Sequence, residues 1–303
     1  MTKRIAVVGS KGFIGARLVN ALRGAGHEVI ELDLPHIDIS TFSPDDLVFG
    51  EVLSKIHTFS EVLEGVDVLF HLAVMNLEHC KKDYRGCIAT NILGTASIME
   101  VVRKARIKRV IYTSASSVYG DPVKLPAAES DPTMPLTLYG ATKLASEKVI
   151  HAYSNNFDLT YGIFRFTNVY GPGQVNGLIP TVIQNLIKGE EISITGTGEQ
   201  TRDFVYVDDV VTILRRAVDH PMYSFVSNLG SGNNISVNCV VNMCARVLDI
   251  EPLIKYAPMQ EDRNEFQADL TEFKRLFGEY EFRRFVDGLV DTVVWWESKG
   301  AGH

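Results

Sequence analysis

The feature that most constrains the fold is a short apolar run followed by a glycine-rich turn near the start of the sequence. Residues Arg4–Val8 lead into a turn with glycine at every third position and then into apolar residues at helical spacing. Such glycines let the chain turn tightly, let its backbone approach a pyrophosphate and let the helix pack on the strand. The pattern predicts a strand, a phosphate-binding turn and a helix, although this Gly-x-x-Gly-x-x-Gly spacing is also compatible with an ordinary turn. The candidate cofactor residues are Gly9, Gly12, Phe13, Ile14 and Gly15.

A second apolar strand supports the phosphate-binding interpretation. Residues Glu28–Leu32 end in Asp33, about 20 residues after the glycines, where dinucleotide-binding chains carry an acidic residue. A carboxylate there accepts hydrogen bonds from ribose hydroxyls and repels a 2′-phosphate. Asp33 therefore favours NAD over NADP, while Lys11 in the turn keeps NADP open as the alternative.

Two further strands end in residues suited to a ligand. Residues 67–73 form an apolar run that ends in Leu72 and Ala73, whose position suits a cofactor lying across the sheet edge. For His71 we favour a packing or hydrogen-bonding role over catalysis. Residues 109–113 form the next strand, and the serine-rich stretch 114–117 follows it. Asn91, on a helix predicted over 84–105, is a further cofactor candidate, with steadying of neighbouring strands as the structural alternative. Strands alternating with helices predict an α/β fold with a doubly wound parallel sheet.

Tyr139 and Lys143 form the candidate acid/base pair. They lie four residues apart at the start of a helix predicted to run to about Asn155, so both side chains leave one face. A tyrosine is a poor base at neutral pH, but a nearby ammonium favours the phenolate and lowers the phenol pKa. Taken alone, such a spacing is more often an ordinary surface pair.

Composition excludes several classes of function. The 303 residues carry a formal net charge of −7, which argues against a nucleic-acid or membrane-surface partner. Nothing in residues 1–15 resembles an export signal, so we expect a cytoplasmic protein. The four cysteines match no metal or redox spacing, and we expect free thiols and no metal site. They are Cys80, Cys87, Cys239 and Cys244.

These motifs, in this order, resemble the extended short-chain dehydrogenase/reductase family, and specifically its nucleotide-sugar epimerase and dehydratase branch. The similarity continues through residues 168–173, 198–204, 207–210 and 261–263 and covers nearly the whole chain. It implies a Rossmann-type NAD-binding domain over 1–168 and a smaller mixed α/β nucleotide-sugar domain over 169–303. Part of 203–228 is expected to return to the first domain.

The resemblance also implies roles for individual residues. Tyr139 would be the base and Lys143 would hold both Tyr139 and the cofactor ribose. Asn168, Arg202 and Arg263 would bind a UDP- or other nucleotide-linked sugar, although Arg202 could instead pair with a neighbouring carboxylate. Phe266 would lie beside the C2 substituent of the sugar. A homodimer is expected through helices near 84–105 and 138–155, with Val149 and Ile150 on an available face.

The serine cluster departs from the family pattern. The position of the expected catalytic hydroxyl is Ala115, flanked by Ser114 and Ser116, and we favour Ser116 as the substitute. Ser116-Ser117 also stand where dehydratases and decarboxylases of this branch carry acidic residues. We therefore expect a 4-epimerase that acts through a 4-keto sugar. The alternatives are a dehydratase, decarboxylase or 4-keto reductase on the same scaffold, and, from another class, a non-catalytic NAD-sensing regulator.

Overall fold

The computed structural model describes residues 1–33, 60–258 and 265–300. The strands in this part of the chain are β1 (Arg4–Val8), β2 (Glu28–Leu32), β3 (Val68–His71), β4 (Arg109–Ala115), β5 (Thr160–Phe166), β6 (Asn168–Tyr170), β7 (Ile192–Thr195), β8 (Thr201–Tyr206), β9 (Phe225–Leu229), β10 (Asn234–Ser236) and β11 (Ile254–Ala257). The α-helices are α1 (Gly15–Gly24), α2 (Leu77–Lys82), α3 (Tyr84–Ile88), α4 (Gly94–Lys104), α5 (Leu138–Asn156), α6 (Leu178–Lys188), α7 (Val207–Ala217), α8 (Val237–Leu248), α9 (Thr271–Phe277) and α10 (Phe285–Gly300).

The elements predicted around the glycine turn are present. β1, the turn and α1 follow one another without a break, and β2 ends immediately before Asp33. The helix predicted over 84–105 is interrupted, because residues Ala89–Leu93 form a π-helical segment between α3 and α4. A π-helical turn inside an α-helix is often found at a functional site.

The chain divides into two compact units. The first contains the described residues of 1–120, 132–165 and 211–227, and the second those of 121–131, 166–210 and 228–303. Residues 211–227 thus return to the first unit from late in the sequence. Residues 121–131, which lie between the serine cluster and Tyr139, belong to the second unit.

The first unit is built on a six-stranded sheet in the order β2-β1-β3-β4-β5-β9. The pairs β1·β2, β1·β3 and β3·β4 are parallel. Strand β1 is nearly continuous in apolar residues because helices cover parallel sheets on both faces, and Ile5, Ala6 and Val7 have no exposed surface. This parallel sheet with flanking helices confirms the predicted Rossmann-type fold.

The second unit is mixed α/β. It holds a three-stranded sheet, β10-β8-β6, and a two-stranded parallel sheet of β7 and β11. Strand β8 pairs antiparallel with β10 and parallel with β6. Its core packs helices α6, α8 and α10 together through buried Ile183, Val240 and Val293.

The cysteine prediction was wrong for one pair. Cys80 and Cys87 form a disulfide, because the chain turns at Asp83 between α2 and α3 and brings their Cα atoms to 4.9 Å. Cys239 and Cys244 are free thiols, as expected. Within the described ranges, no helix is long and apolar enough to cross a membrane.

Candidate active site and cofactor site

The glycine turn packs directly on the end of β3. Gly9 has φ +86°, and a Cβ there would lie 2.7 Å from the backbone nitrogen of Ala73 and 2.9 Å from the carbonyl carbon of Leu72. A Cβ on Gly15 would lie 2.0 Å from the Gly9 oxygen. Only glycine fits at both positions, and the helix start can then approach a ligand closely. The turn thus has the shape of a pyrophosphate cradle, and the predicted residues Leu72 and Ala73 border it.

Asp33 is held against this turn. Its Oδ2 accepts a hydrogen bond from the backbone N–H of Lys11, and the Gly9 N–H donates to the Leu32 carbonyl at 2.8 Å. Phe13 and Ile14 lie between the turn and α1, where Arg17 stacks over the Phe13 ring at 5.2 Å. The carboxylate is therefore placed at the mouth of the glycine turn, where it fits the ribose of a dinucleotide.

Asn91 lies in the π-helical segment and is buried. Its Oδ1 accepts from the Met75 N–H at 2.8 Å, and its Nδ2 donates to the Met75 carbonyl at 3.1 Å and to Thr142 Oγ1 at 2.9 Å. The amide thus ties the segment after β3 to helix α5. Asn91 therefore has a structural role, although it joins a loop to a helix rather than two strands, and its contact with a cofactor stays a prediction.

His71 is also buried at the end of β3. Its Nε2 lies 2.9 Å from Thr95 Oγ1. Burial lowers the pKa of His71 to about 3, with a smaller contribution from the charge of Lys143. A neutral ring in this position packs and hydrogen-bonds, as the sequence indicates.

Helix α5 begins so that Tyr139 lies in its first turn. The N-cap is Thr137, whose side chain accepts from the Gly140 N–H at 3.1 Å. A Cβ on Gly140 would lie 2.5 Å from the carbonyl oxygen of Ser117. Gly140 therefore lets the start of helix α5 touch the serine cluster, a role that was not predicted from the sequence.

Lys143 is buried one turn further along α5. Its Nζ donates to the carbonyl of Thr113 and lies 4.3 Å from the centre of the Tyr112 ring. Burial lowers the pKa of Lys143 to about 7, and the Glu147 carboxylate acts in the opposite direction. Burial also raises the pKa of Tyr139 to about 12. The pKa of Tyr139 thus shifts in the direction opposite to the one expected from the sequence. The expectation considered the charge of the Lys143 ammonium but not the burial of Tyr139 and Lys143.

The serines after β4 occupy different environments. Ser114 is buried, and its Oγ donates to Glu147 Oε1 at 2.5 Å. Ser116 begins the 3-10 turn Ser116–Val118 and is partly exposed. The hydroxyl of Ser114 is thus committed to a protein acceptor, whereas the backbone of Ser116 turns away from the strand.

Glu147 and Arg165 complete this region, and the sequence analysis missed both. Glu147 accepts from Arg165 Nη2 at 2.9 Å, and both side chains are buried. The Arg165 guanidinium lies over the Tyr119 ring at 4.9 Å. The spacing of Tyr139, Lys143 and Glu147, each four residues apart, could have placed Glu147 on the same helical face. Nothing local in the sequence indicates its pairing with Arg165.

The remaining predicted residues lie in the second unit. Asn168 Nδ2 donates to the carbonyl of Asp203 at 3.0 Å. Arg202 is half-buried on β8, opposite Ile235 of β10. Phe266 is 6% exposed. Arg263 lies outside the described residues.

Asp203 organises the part of the second unit next to Asn168. Its carboxylate accepts from the backbone N–H groups of Ser231, Gly232 and Ala268 at 2.8 to 3.1 Å. The backbone of Ala127 bonds to Gln267 and Asp269 on either side of Ala268. Segment 121–131 therefore fixes the stretch that carries Phe266.

Comparison with known proteins identifies the family. The model of the NAD-dependent epimerase/dehydratase family matches residues 5–229. A UDP-glucose 4-epimerase from Mycolicibacterium smegmatis is 30% identical over 315 residues, covering 98% of this chain and 99% of that protein. The structure of MoeE5 in complex with UDP-glucuronic acid and NAD is 29% identical, has a TM-score of 0.86 and covers 98% of this chain and 99% of its own. The structure of TunA, an NAD-dependent NDP-hexosamine 5,6-dehydratase involved in tunicamycin biosynthesis, is also 29% identical, with a TM-score of 0.85 and 98% of both chains covered. Together with the glycine turn and Asp33, these matches show that the chain belongs to the NAD-dependent epimerase/dehydratase family of enzymes and that its cofactor is NAD.

Proposed function

We propose that the protein is a nucleotide-sugar 4-epimerase that acts through a transient 4-keto sugar. Bound at the glycine turn and Asp33, NAD would supply the hydride acceptor for C4 of the sugar and the hydride donor for the 4-keto sugar. Tyr139 takes the proton of the C4 hydroxyl and later gives it back. Lys143 favours the phenolate form of Tyr139, and the positive charge of an oxidised nicotinamide acts in the same direction.

The proposal rests mainly on the hydrogen bonds of Glu147, which carries the carboxylate nearest to Tyr139 and Lys143 on helix α5. Glu147 accepts hydrogen bonds from Ser114 and from Arg165. Elimination of water needs a further acid and base beside the sugar. A carboxylate shared between a serine and an arginine is poorly suited to that work, and the stretch Ser114–Ser117 contributes hydroxyls only. Epimerisation needs Tyr139, one hydroxyl and a sugar free to turn over.

Ser116 is our choice for that hydroxyl. Ser114 is bonded to Glu147, and Ser116 is partly exposed at the end of β4. The sugar nucleotide would be held by Asn168, Arg202 and Arg263, since guanidinium groups match phosphate oxygens. A UDP-linked hexose or hexuronate is supported by the UDP-glucose 4-epimerase relative and by the UDP-glucuronic acid complex of MoeE5.

The test is product analysis by NMR with purified protein, NAD and a panel of nucleotide sugars. We expect the C4 epimer of one UDP-sugar, with no stoichiometric NADH. Tyr139→Phe should retain NAD binding and lose turnover by roughly 10²-fold or more. A 5,6-unsaturated or 4-keto-6-deoxy product would indicate a dehydratase, loss of CO₂ a decarboxylase, and a requirement for NADH a reductase. NAD binding without turnover of any sugar would favour the NAD-sensing regulator.

We also propose that the enzyme is a homodimer. The predicted face needs correction at both residues that were named for it, because Ile150 is fully buried in the core of the first unit and Val149 packs against the same cluster. The exposed large apolar residues of the helical stretch 84–105 are instead Tyr84, Ile88 and Leu93. Light scattering at micromolar concentration should give about twice the mass of one chain, and a monomer would contradict the proposal.

A further inference from the structure

Glu147 lies one helical turn after Lys143 and two after Tyr139, so the three side chains share one face of α5. The Glu147 side chain is 4% exposed. Oε1 accepts from Ser114 Oγ at 2.5 Å and from Arg165 Nε at 3.1 Å, and Oε2 accepts from Arg165 Nη2 at 2.9 Å. These bonds join the catalytic helix to the end of β4 and to β5.

Three charges are therefore buried together. Lys143 and Arg165 are basic side chains, 2% and 5% exposed, and Glu147 is the acidic side chain buried on the same face of α5 as Lys143. Burying a charge without compensation is costly. Arg165 keeps its proton under all working conditions, whereas a buried lysine can release its own. Removal of the negative charge of Glu147 should therefore mainly promote loss of the proton from Lys143.

The other titratable groups around Lys143 supply no negative charge near neutral pH. His71, on β3, has its pKa lowered to about 3 by burial and is neutral. Tyr112, on β4, has its pKa raised by burial and is also neutral. Tyr139, on the same helix, has its pKa raised to about 12. The Glu147 carboxylate is the charge that favours the protonated form of Lys143.

We propose that Glu147 is a positioning residue for the reaction: its carboxylate favours the ammonium form of Lys143, which shares a helical face with Tyr139, and, through Ser114, it holds the end of β4 in register with α5. The inference rests on the proposed function, because it is the proposed reaction that requires a charged Lys143. Arg165 holds the carboxylate in place and partly offsets its charge.

Two substitutions should act on Lys143 in opposite directions. Glu147→Gln keeps the size of the side chain and an oxygen for Ser114, but it removes the negative charge, so the Lys143 pKa should fall by about 1 unit. Arg165→Met removes a cation and leaves the carboxylate, so the Lys143 pKa should rise. Ser114→Ala removes a neutral donor and leaves the charges of Glu147 and Arg165 in place, so it should move the Lys143 pKa least. General loosening of the packing would not produce opposite signs.

The first measurement is the pH titration of the Lys143 Cε resonance in protein labelled with [¹³Cε]lysine, without substrate, assigned with Lys143→Arg. A pKa shift of the same sign in Glu147→Gln and Arg165→Met, or no shift in either, would overturn the proposal. Glu147→Gln leaves Arg165 uncompensated, so the double variant Glu147→Gln/Arg165→Met guards against failure to fold. Its Lys143 pKa should lie between those of the two single variants, and a value outside that interval also counts against the proposal.

The second measurement is the pH dependence of turnover with the UDP-sugar that gives a product. In Glu147→Gln the apparent pKa of the kcat profile should move to lower pH, because removing an anion favours proton loss from the coupled Tyr139–Lys143 pair. The kcat plateau should fall by about tenfold while KM stays within about threefold. A profile of unchanged pKa would assign Glu147 a purely structural role. If Lys143 titrates as expected but no sugar is epimerised, the proposed function fails by itself; if epimerisation occurs but Lys143 does not shift, this inference fails by itself.

Discussion

Ser114 donates its hydroxyl hydrogen to Glu147, with 2.5 Å between Oγ and Oε1. The bond connects the last part of β4 with the helix that carries Tyr139 and Lys143. The bond is our reason for proposing Ser116 as the hydroxyl that meets the sugar, although Ser114 and Ser116 are equally close to Ala115 in the sequence. The choice between these two serines thus follows from a contact 33 residues away in the chain.

Replacing these serines separately tests that choice. Ser116→Ala should lower kcat by roughly 10²-fold, as expected for loss of a hydrogen bond to the reacting oxygen. Ser114→Ala is the matched comparison: it should lower kcat less than Ser116→Ala does and should lower the free energy of unfolding by about 1–3 kcal/mol, since it leaves a buried charged acceptor with one bond fewer. Steady-state kinetics and urea unfolding of both variants provide the comparison. A larger loss of kcat in Ser114→Ala would assign the catalytic hydroxyl to Ser114.

Asp33 should determine the choice of cofactor. Its carboxylate is held at the glycine turn by the Lys11 N–H, where a 2′-phosphate would be repelled. Asp33→Asn should lower the ratio of the NADP dissociation constant to the NAD dissociation constant by about tenfold or more. Calorimetry of both cofactors measures this ratio. Lys11→Ala is the control, and it should leave NAD binding nearly unchanged. Equal binding of NAD and NADP by the wild type would contradict the assignment.

Lys143 should make the free energy of unfolding depend on pH. Its pKa is lowered from 10.5 to about 7 in the folded protein. Between these values the unfolded chain binds a proton that the folded chain lacks, so the free energy of unfolding should rise with pH across this window. In Lys143→Met this contribution is absent. Urea unfolding of both proteins from about pH 6 to 9 should show the wild type gaining stability relative to the variant as pH rises. Parallel curves would show that the Lys143 pKa is not depressed.

Phe266 should limit the substituent at C2 of the sugar. Phe266 is 6% exposed. The family resemblance implies that it lies beside C2 of the sugar, where a phenyl ring would fill volume that an acetamido group needs. Overpacking typically costs about 1–3 kcal/mol, or roughly ten- to a hundredfold in kcat/KM. Phe266→Ser should therefore raise kcat/KM for UDP-N-acetylglucosamine relative to UDP-glucose and UDP-glucuronate. A wild type that already prefers the N-acetyl sugar, or a variant with the same ranking, would show that Phe266 is not selective.

The parts of the site that could be predicted are those encoded by local patterns. The strand, turn and helix around Gly9, the position of Asp33 and the shared face of Tyr139 and Lys143 each depend on residues close in sequence. Spacing is sufficient there, because helix and strand periodicities fix which residues meet.

The parts that could not be predicted depend on contacts between distant segments. Arg165 pairs with Glu147 across 18 residues, and only the fold determines that both are buried. The direction of the Tyr139 pKa shift was missed for the same reason, since burial depends on the tertiary structure. The Cys80–Cys87 disulfide follows from the chain reversal at Asp83, which no cysteine-spacing rule describes.

The late position of β9 has a consequence for how the protein is made. Strand Phe225–Leu229 forms one edge of the six-stranded sheet, next to β5, yet it is synthesised after more than half of the second unit's strands. Until β9 has been synthesised, strand β5 has an unpaired edge. Unpaired strand edges promote association with other chains. We expect a nascent chain that ends before residue 225 to depend on chaperones more than one that ends after residue 229.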